Sequence, residues 1–215
     1  MKASWTVPEI SSNPTDPSAG VFISIGIGGA QSLKGLSDVP GIIQIGTGAK
    51  YDLSPSHNPI YFAWWQTNHM PNDTGYTDIG SNYPVKIGDQ IEASISQIMH
   101  VAFIKGSSWV ILINNLTQGW KYSNIINYDL DQQTANFIVV APQDLNGKIS
   151  TLADFNAVAF DNCSVDIANS PEFATTDDGG FMYKILSTGY ALPISVPSVP
   201  TGHNDGFIVT YSGTP

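Results

Sequence analysis

The apolar residues of this chain come in short segments that alternate with polar residues or run on for about five positions, and no window of helical length carries a 3.6-residue period. This pattern constrains the fold more than any other feature, because only strands can use such segments to bury one face. Candidate strands are Val21–Ile27, Ile42–Gly46, Ile60–Gln66, Gln90–Ile98, Val101–Ile104, Trp109–Asn114, Asn136–Val140, Ala157–Phe160, Phe181–Ile185 and Gly206–Tyr211. Turn-forming residues separate them: Gly28-Gly29, Ser54-Pro55-Ser56, Pro71-Asn72-Asp73, Ile87-Gly88-Asp89, Asn146-Gly147 and Asp178-Gly179-Gly180. So many short strands imply an all-β, antiparallel, two-sheet sandwich or a barrel. The proline-containing stretch from Pro193 to Gly202 is followed at once by Phe207–Tyr211, a segment needed to complete a sheet. No boundary is therefore placed there, and residues 1–215 read as one domain.

Charge narrows the function. Eight lysines and no arginine stand against 18 acidic residues, giving a formal net charge of -10. A nucleic-acid partner is excluded on this ground, since phosphate binding needs a basic face and base reading leans on arginine. Only 12% of residues are charged, and most of the acids are Asp. Such a chain loses much of its negative charge as pH falls through about 4, and with few ion pairs to break it has little stability to lose in acid. An acidic extracellular setting fits that composition. No segment is apolar for the eighteen or so residues of a membrane span. The N-terminal MKASWTVPEI lacks the apolar run of a signal peptide, so an exported product would have lost its signal before this point.

The remaining motifs are sparse. Cys163 has no partner for an intrachain bridge and no His signature beside it. His57, His69 and His100 match no compact ligand spacing, so neither a metal nor any other cofactor is expected. No Gly-x-Ser-x-Gly elbow is present. Asn115-Leu116-Thr117 fits an N-glycosylation acceptor.

An ordered set of segments resembles the eqolisins, the glutamic peptidases that act as acid endopeptidases. The set comprises Trp5-Thr6-Val7-Pro8, Phe22–Gly29 (FISIGIGG), Ile42–Thr47 (IIQIGT), Tyr61–Trp65 (YFAWW), Val85–Ile91 (VKIGDQI), Ile111–Gly119 (ILINNLTQG) and Leu152–Phe160 (LADFNAVAF). The resemblance implies a sandwich of two bent antiparallel sheets, concanavalin- or lectin-like, with a substrate groove across one concave face. It implies a secreted protein. It also implies a catalytic Gln and Glu on neighbouring strands that act together on a water.

Gln44 stands at the Gln position. The Glu position falls in Ala135–Val139 and holds Asn136. An amide has no proton-accepting group that titrates in the carboxylate range, so it cannot act as general base. Gln66 likewise stands where the family carries a second Glu after its Trp pair. The candidate substrate contacts are Trp64, Trp65, Gln66 and Phe137; because neighbours in a strand face opposite ways, one of Trp64 and Trp65 packs inward and the other lines the groove. Asn136 lies among apolar neighbours and needs hydrogen-bond partners; a Gln44–Asn136 pairing would satisfy it without chemistry. The three glutamates, Glu9, Glu92 and Glu172, and the loop residues Asp38 and Asp52 are the alternative bases, and none sits at a motif position.

Three functions follow. The first is a degenerate member of the family that binds an extended peptide or glycan in the old groove, with an outward-facing Trp as a stacking surface. The alternative is an active acid endopeptidase using Gln44 and a substitute carboxylate. The third is a structural extracellular subunit, marked by a long exposed strand edge or by a homo-oligomer with an occluded groove.

Overall fold

The computed structural model describes residues 1–11, 19–28, 41–52, 58–68, 76–100, 107–128, 134–142, 149–167, 170–173, 182–185, 191–201, 203 and 205–213. Its elements are all strands: β1 (Lys2–Thr6), β2 (Gly20–Gly28), β3 (Ile42–Tyr51), β4 (Pro59–Asn68), β5 (Thr77–Asp78), β6 (Gln90–His100), β7 (Ser107–Asn115), β8 (Trp120–Tyr128), β9 (Ala135–Val140), β10 (Ala157–Ile167), β11 (Ser170–Phe173), β12 (Met182–Ile185), β13 (Ala191–Pro197) and β14 (Phe207–Tyr211). They form two antiparallel sheets. The larger runs β12-β13-β14-β10-β1-β6-β7-β8, with β11 added on β10; the smaller runs β5-β4-β3-β2-β9.

The period-2 pattern of the sequence explains the sandwich. β7 (SSWVILINN) alternates buried and half-buried residues along its whole length, so Trp109, Ile111 and Ile113 point inward. Ile23, Ile25, Ile43 and Ile45 of the smaller sheet meet Trp5, Ile91, Ile95, Ile111, Phe160 and Phe207 of the larger one in a single core. Each such isoleucine or phenylalanine contributes about 1.5–3 kcal/mol by leaving water. A polar contact also crosses this core: the Trp5 indole N–H donates to Thr47 Oγ1 at 3.0 Å, tying β1 to β3.

The smaller sheet has a second apolar layer on its other face. There Phe22, Phe62 and Trp64 are buried together beneath Tyr76, and Lys50 Nζ donates to the Tyr76 hydroxyl at 3.0 Å.

Most expected strands are present with extended ends. Val101–Ile104 lies outside the described residues. β1, β5, β8, β11 and β13 are strands that the apolar pattern did not mark. β8 (WKYSNIINY) is polar because it is an edge with its outer positions in solvent. β13 takes up the first prolines of the Pro193–Gly202 stretch, as a strand next to the outermost β12.

Candidate functional site

The register of the smaller sheet brings the amides of the sequence together. Gln44 of β3 is the cross-strand partner of Gln66 in β4 and of Gly26 in β2. Gly26 is in turn the partner of Asn136 in β9. Directly opposed residues share a face, so Gln66, Gln44, Gly26 and Asn136 form one row across four strands, on the face away from the core. The three amides are half-buried. Two strand spacings, about 10 Å between Cα atoms, separate Gln44 from Asn136, and Gly26 between them contributes no side chain. A Cβ on Gly26 would lie 3.0 Å from Gln44 Cγ and 3.2 Å from the Ile43 carbonyl oxygen. Glycine there lets the Gln44 side chain rest on the strand.

Two different devices hold the flanking amides. The Ser24 hydroxyl, fully buried, donates to Gln44 Oε1 at 3.4 Å, which leaves Gln44 Nε2 as the outward donor. Asn136 Nδ2 donates to the Gly28 carbonyl at 2.7 Å and to Thr134 Oγ1 at 3.3 Å. Thr134 Oγ1 donates to that same carbonyl at 2.7 Å. The row therefore offers an N–H from Gln44 and a carbonyl oxygen from Asn136, a donor and an acceptor on either side of Gly26. The expected Gln44–Asn136 pairing is not formed. Gly26 lies between the two strands, and each amide has its own partners.

The four expected substrate contacts divide. Gln66 belongs to the row. Trp64 is on the same face but is 1% exposed, packed edge-to-face on Tyr76 and tilted against Phe22, so it presents no stacking surface. Its indole N–H has no hydrogen-bond partner among the described residues. Trp65 and Phe137 are on the opposite face, since they share a row with Ile45 and Ile25. Trp65 bonds the Tyr122 hydroxyl, and Phe137 packs on Phe160 and Phe207. Both therefore face the core rather than the amide row, a consequence of the alternation that makes neighbours in a strand point opposite ways.

The candidate bases lie elsewhere. Glu92 is exposed on the outer face of the larger sheet, between Ser4 and Asn114. Glu9 precedes Ile10, whose backbone bonds the Tyr51 and Tyr61 hydroxyls at the far end of the sandwich. Asp52 accepts the Asn58 N–H. The Asp38 position and the Glu172 side chain lie outside what is described. Asp78 of β5, which the sequence reading passed over, shares the site face as the partner of Trp64. It is two strands from Gln44, and its Oδ1 accepts the Gly80 N–H at 2.8 Å. Among the described residues no group of three or more His, Cys, Asp or Glu is placed to hold a metal. No helix there is long and apolar enough to cross a membrane.

Ser24, Thr134 and Tyr76 were also missed by sequence reading. Ser24 carries the only signal that could have found it: a hydroxyl in an otherwise apolar strand, two residues before a glycine.

The sequence matches the Peptidase A4 family over residues 1–209. The chain belongs to that family. Solved structures of family members share the fold. Scytalido-glutamic peptidase, in a complex with a peptide-based transition-state analogue, is 22% identical with a TM-score of 0.68, over 98% of this chain and 91% of its own. Aspergilloglutamic peptidase from Aspergillus niger is also 22% identical with a TM-score of 0.60, over 90% of this chain and 99% of its own. None of the curated proteins compared with it matches significantly in sequence. The two-sheet architecture expected from the peptidase A4 resemblance is thus the observed one.

Proposed function

We propose that this member of the peptidase A4 family binds an extended polypeptide beside the Gln44–Gly26–Asn136 row and does not hydrolyse it, as a secreted protein that works in acid. One observation carries the reading: across Gly26 from Gln44 stands Asn136, with no carboxylate in that row. Peptide hydrolysis through a bound water needs a group that accepts a proton from it near the working pH, and neither amide does so. What the row keeps is the recognition half of the chemistry. The Gln44 N–H suits a peptide carbonyl, and the Asn136 carbonyl suits a peptide N–H.

Burial of Trp64 beneath Tyr76 favours a polypeptide over a glycan, because a sugar would need an open aromatic platform. Asp78 does not supply the missing base: two strand spacings, about 10 Å, stand between its strand and that of Gln44. The low charge content and the preponderance of Asp support work in acid.

The test is digestion of a denatured protein substrate across about pH 2–7, the range over which carboxylates titrate, with Gln44→Ala as control. Peptide-array binding is measured on the same preparations. The expected result is no cleavage at any pH, with array binding that Gln44→Ala weakens. Cleavage that disappears in Gln44→Ala would overturn the proposal in favour of a peptidase with a substitute base.

A further inference from the structure

Among the described residues the amide row ends on an unpaired strand edge. The smaller sheet runs β5-β4-β3-β2-β9, and among the described residues nothing pairs with the far side of β9. Which of its backbone groups face that side follows from the ladder. Gly28 N–H donates to the Thr134 carbonyl at 2.8 Å, and the register continues through Ile27–Ala135 and Gly26–Asn136. Bonded pairs recur at every second residue of an antiparallel ladder. Thr134, Asn136, Ile138 and Val140 therefore bond to β2, while Ala135, Phe137 and Val139 turn their N–H and C=O groups outward.

Other edges carry devices that stop a strand from adding to them: β8 has the exposed Lys121, and β5 is two residues long and contains the exposed Asp78. β9 reads ANFIVV, six residues with no charge and no proline. An open, uncharged, apolar edge is a template for another strand.

From this edge we infer where the ligand lies: an extended cationic peptide adds to β9 as a sixth strand of the smaller sheet, continuing the amide row. This rests on the peptide-binding reading and deepens it. The added strand would bond through the outward groups of Ala135, Phe137 and Val139. Its residue opposite Asn136 falls in a non-bonded pair, where side chains are closest, on the same face as Gln44. Asn136 spends its Nδ2 on Gly28 and Thr134, so its Oδ1 is the atom that meets this residue, and a Lys, Ser or Thr there would donate to it. Charge selects the occupant. With a sequence pI of about 4.4 the chain stays net negative in mild acid, at about pH 5–7 above the usual carboxylate range, where a second copy is repelled and a lysine-bearing strand is attracted.

The probe is a dye-labelled nine-residue peptide alternating Val with Lys and Thr, together with two twins, one N-methylated at odd residues and one at even residues. Fluorescence anisotropy reads binding to the full chain. A strand that pairs along one edge uses only alternate N–H groups, so one twin should bind within about threefold of the parent and the other at least thirtyfold more weakly. Ala135→Pro removes an outward donor at an edge position where proline is tolerated, and should weaken the parent peptide at least tenfold. If that variant does not fold, the methylated twins still decide the matter on the unaltered chain.

Equal binding of both twins, or no binding of the parent at 1 mM peptide, overturns the edge assignment. Failure of the broader reading looks different. Twins that bind alike while Gln44→Ala abolishes binding would leave a peptide site on the sheet face and remove it from the edge. A dimer in sedimentation that Ala135→Pro dissociates would assign the edge to a second copy and refute the peptide.

Discussion

Asn115, the acceptor residue of the Asn-Leu-Thr triplet, holds a buried carboxylate in place. It is fully buried and its Nδ2 donates to Asp89 Oδ2 at 2.7 Å. Asp89 is 1% exposed; it also accepts the Lys86 N–H at 2.8 Å and Gln118 Nε2 at 3.0 Å. Asn115 Oδ1 in turn accepts the backbone N–H groups of Thr117 and Gln118, at 3.1 and 2.9 Å, and so shapes the turn between β7 and β8. Replacing Asn115 by Ala removes one hydrogen bond to a charged group, worth about 1.5–3 kcal/mol, and two ordinary ones worth about 1 kcal/mol each. The loss should total about 3.5–5 kcal/mol, or about 7–20 °C in melting temperature for a chain of this size. Urea unfolding followed by tryptophan fluorescence measures it, with Gln118→Ala as the control that removes only an exposed side chain's bond to the same carboxylate and should cost less, about 1.5 kcal/mol. A cost below 1 kcal/mol for Asn115→Ala would refute the reasoning. The same burial predicts that chain secreted in folded form by a glycosylating host carries no glycan at Asn115, which intact-mass spectrometry reads directly.

Asn136→Glu places a carboxylate across Gly26 from Gln44, and should give measurable peptide cleavage near about pH 3–4; a folded variant with no activity would show that the row has changed beyond this one residue. Gly46→Ala should destabilise by about 3 kcal/mol or prevent folding, because its Cβ would run into the Ile23 carbonyl oxygen and lie 2.7 Å from Ser24 Cα; unchanged thermal unfolding would argue against that close approach of β2 and β3. Burial pushes the Cys163 thiol up to about 12, and burial, helped by Tyr61, Glu9 and Asp154, pushes the Tyr51 hydroxyl up to about 12. The folded chain then holds protons that the unfolded chain releases above pH 9, so the contribution of these two groups should be constant below that pH and fall between 9 and 12. Cys163→Ala should lessen the slope between pH 9 and 10, as urea midpoints will show.

The sequence carried the fold through period-2 alternation, which marks strands with one face in the core. It missed β8 and β13 for the same physical reason in each case. An edge or near-edge strand leaves residues such as Lys121, Ser123 and Pro193 in solvent, and the apolar pattern that marks a strand fades there. The amide row was legible only in part. Gln44, Gln66 and Asn136 were read as neighbours, but local sequence does not set the register that makes Gly26 the residue between them. Trp65 and Phe137 were assigned to the groove because adjacency in sequence says nothing about which of two neighbours faces which way. Trp64, on the correct face, is covered by Tyr76, a contact between residues twelve apart that no local pattern announces.

The second apolar layer has a dynamic consequence. Most sandwich sheets touch a core on one side and solvent on the other, so their strands can loosen outward. β2 and β3 are gripped from both sides, by the isoleucines within and by Phe22, Phe62 and Trp64 without. Their amides should exchange with deuterium only when the whole chain unfolds, while those of β9 open locally at far lower free energy. The row thus joins a rigid half, Gln44 and Gly26, to a yielding half, Asn136. Recognition would begin on a fixed donor and finish by ordering the edge around it.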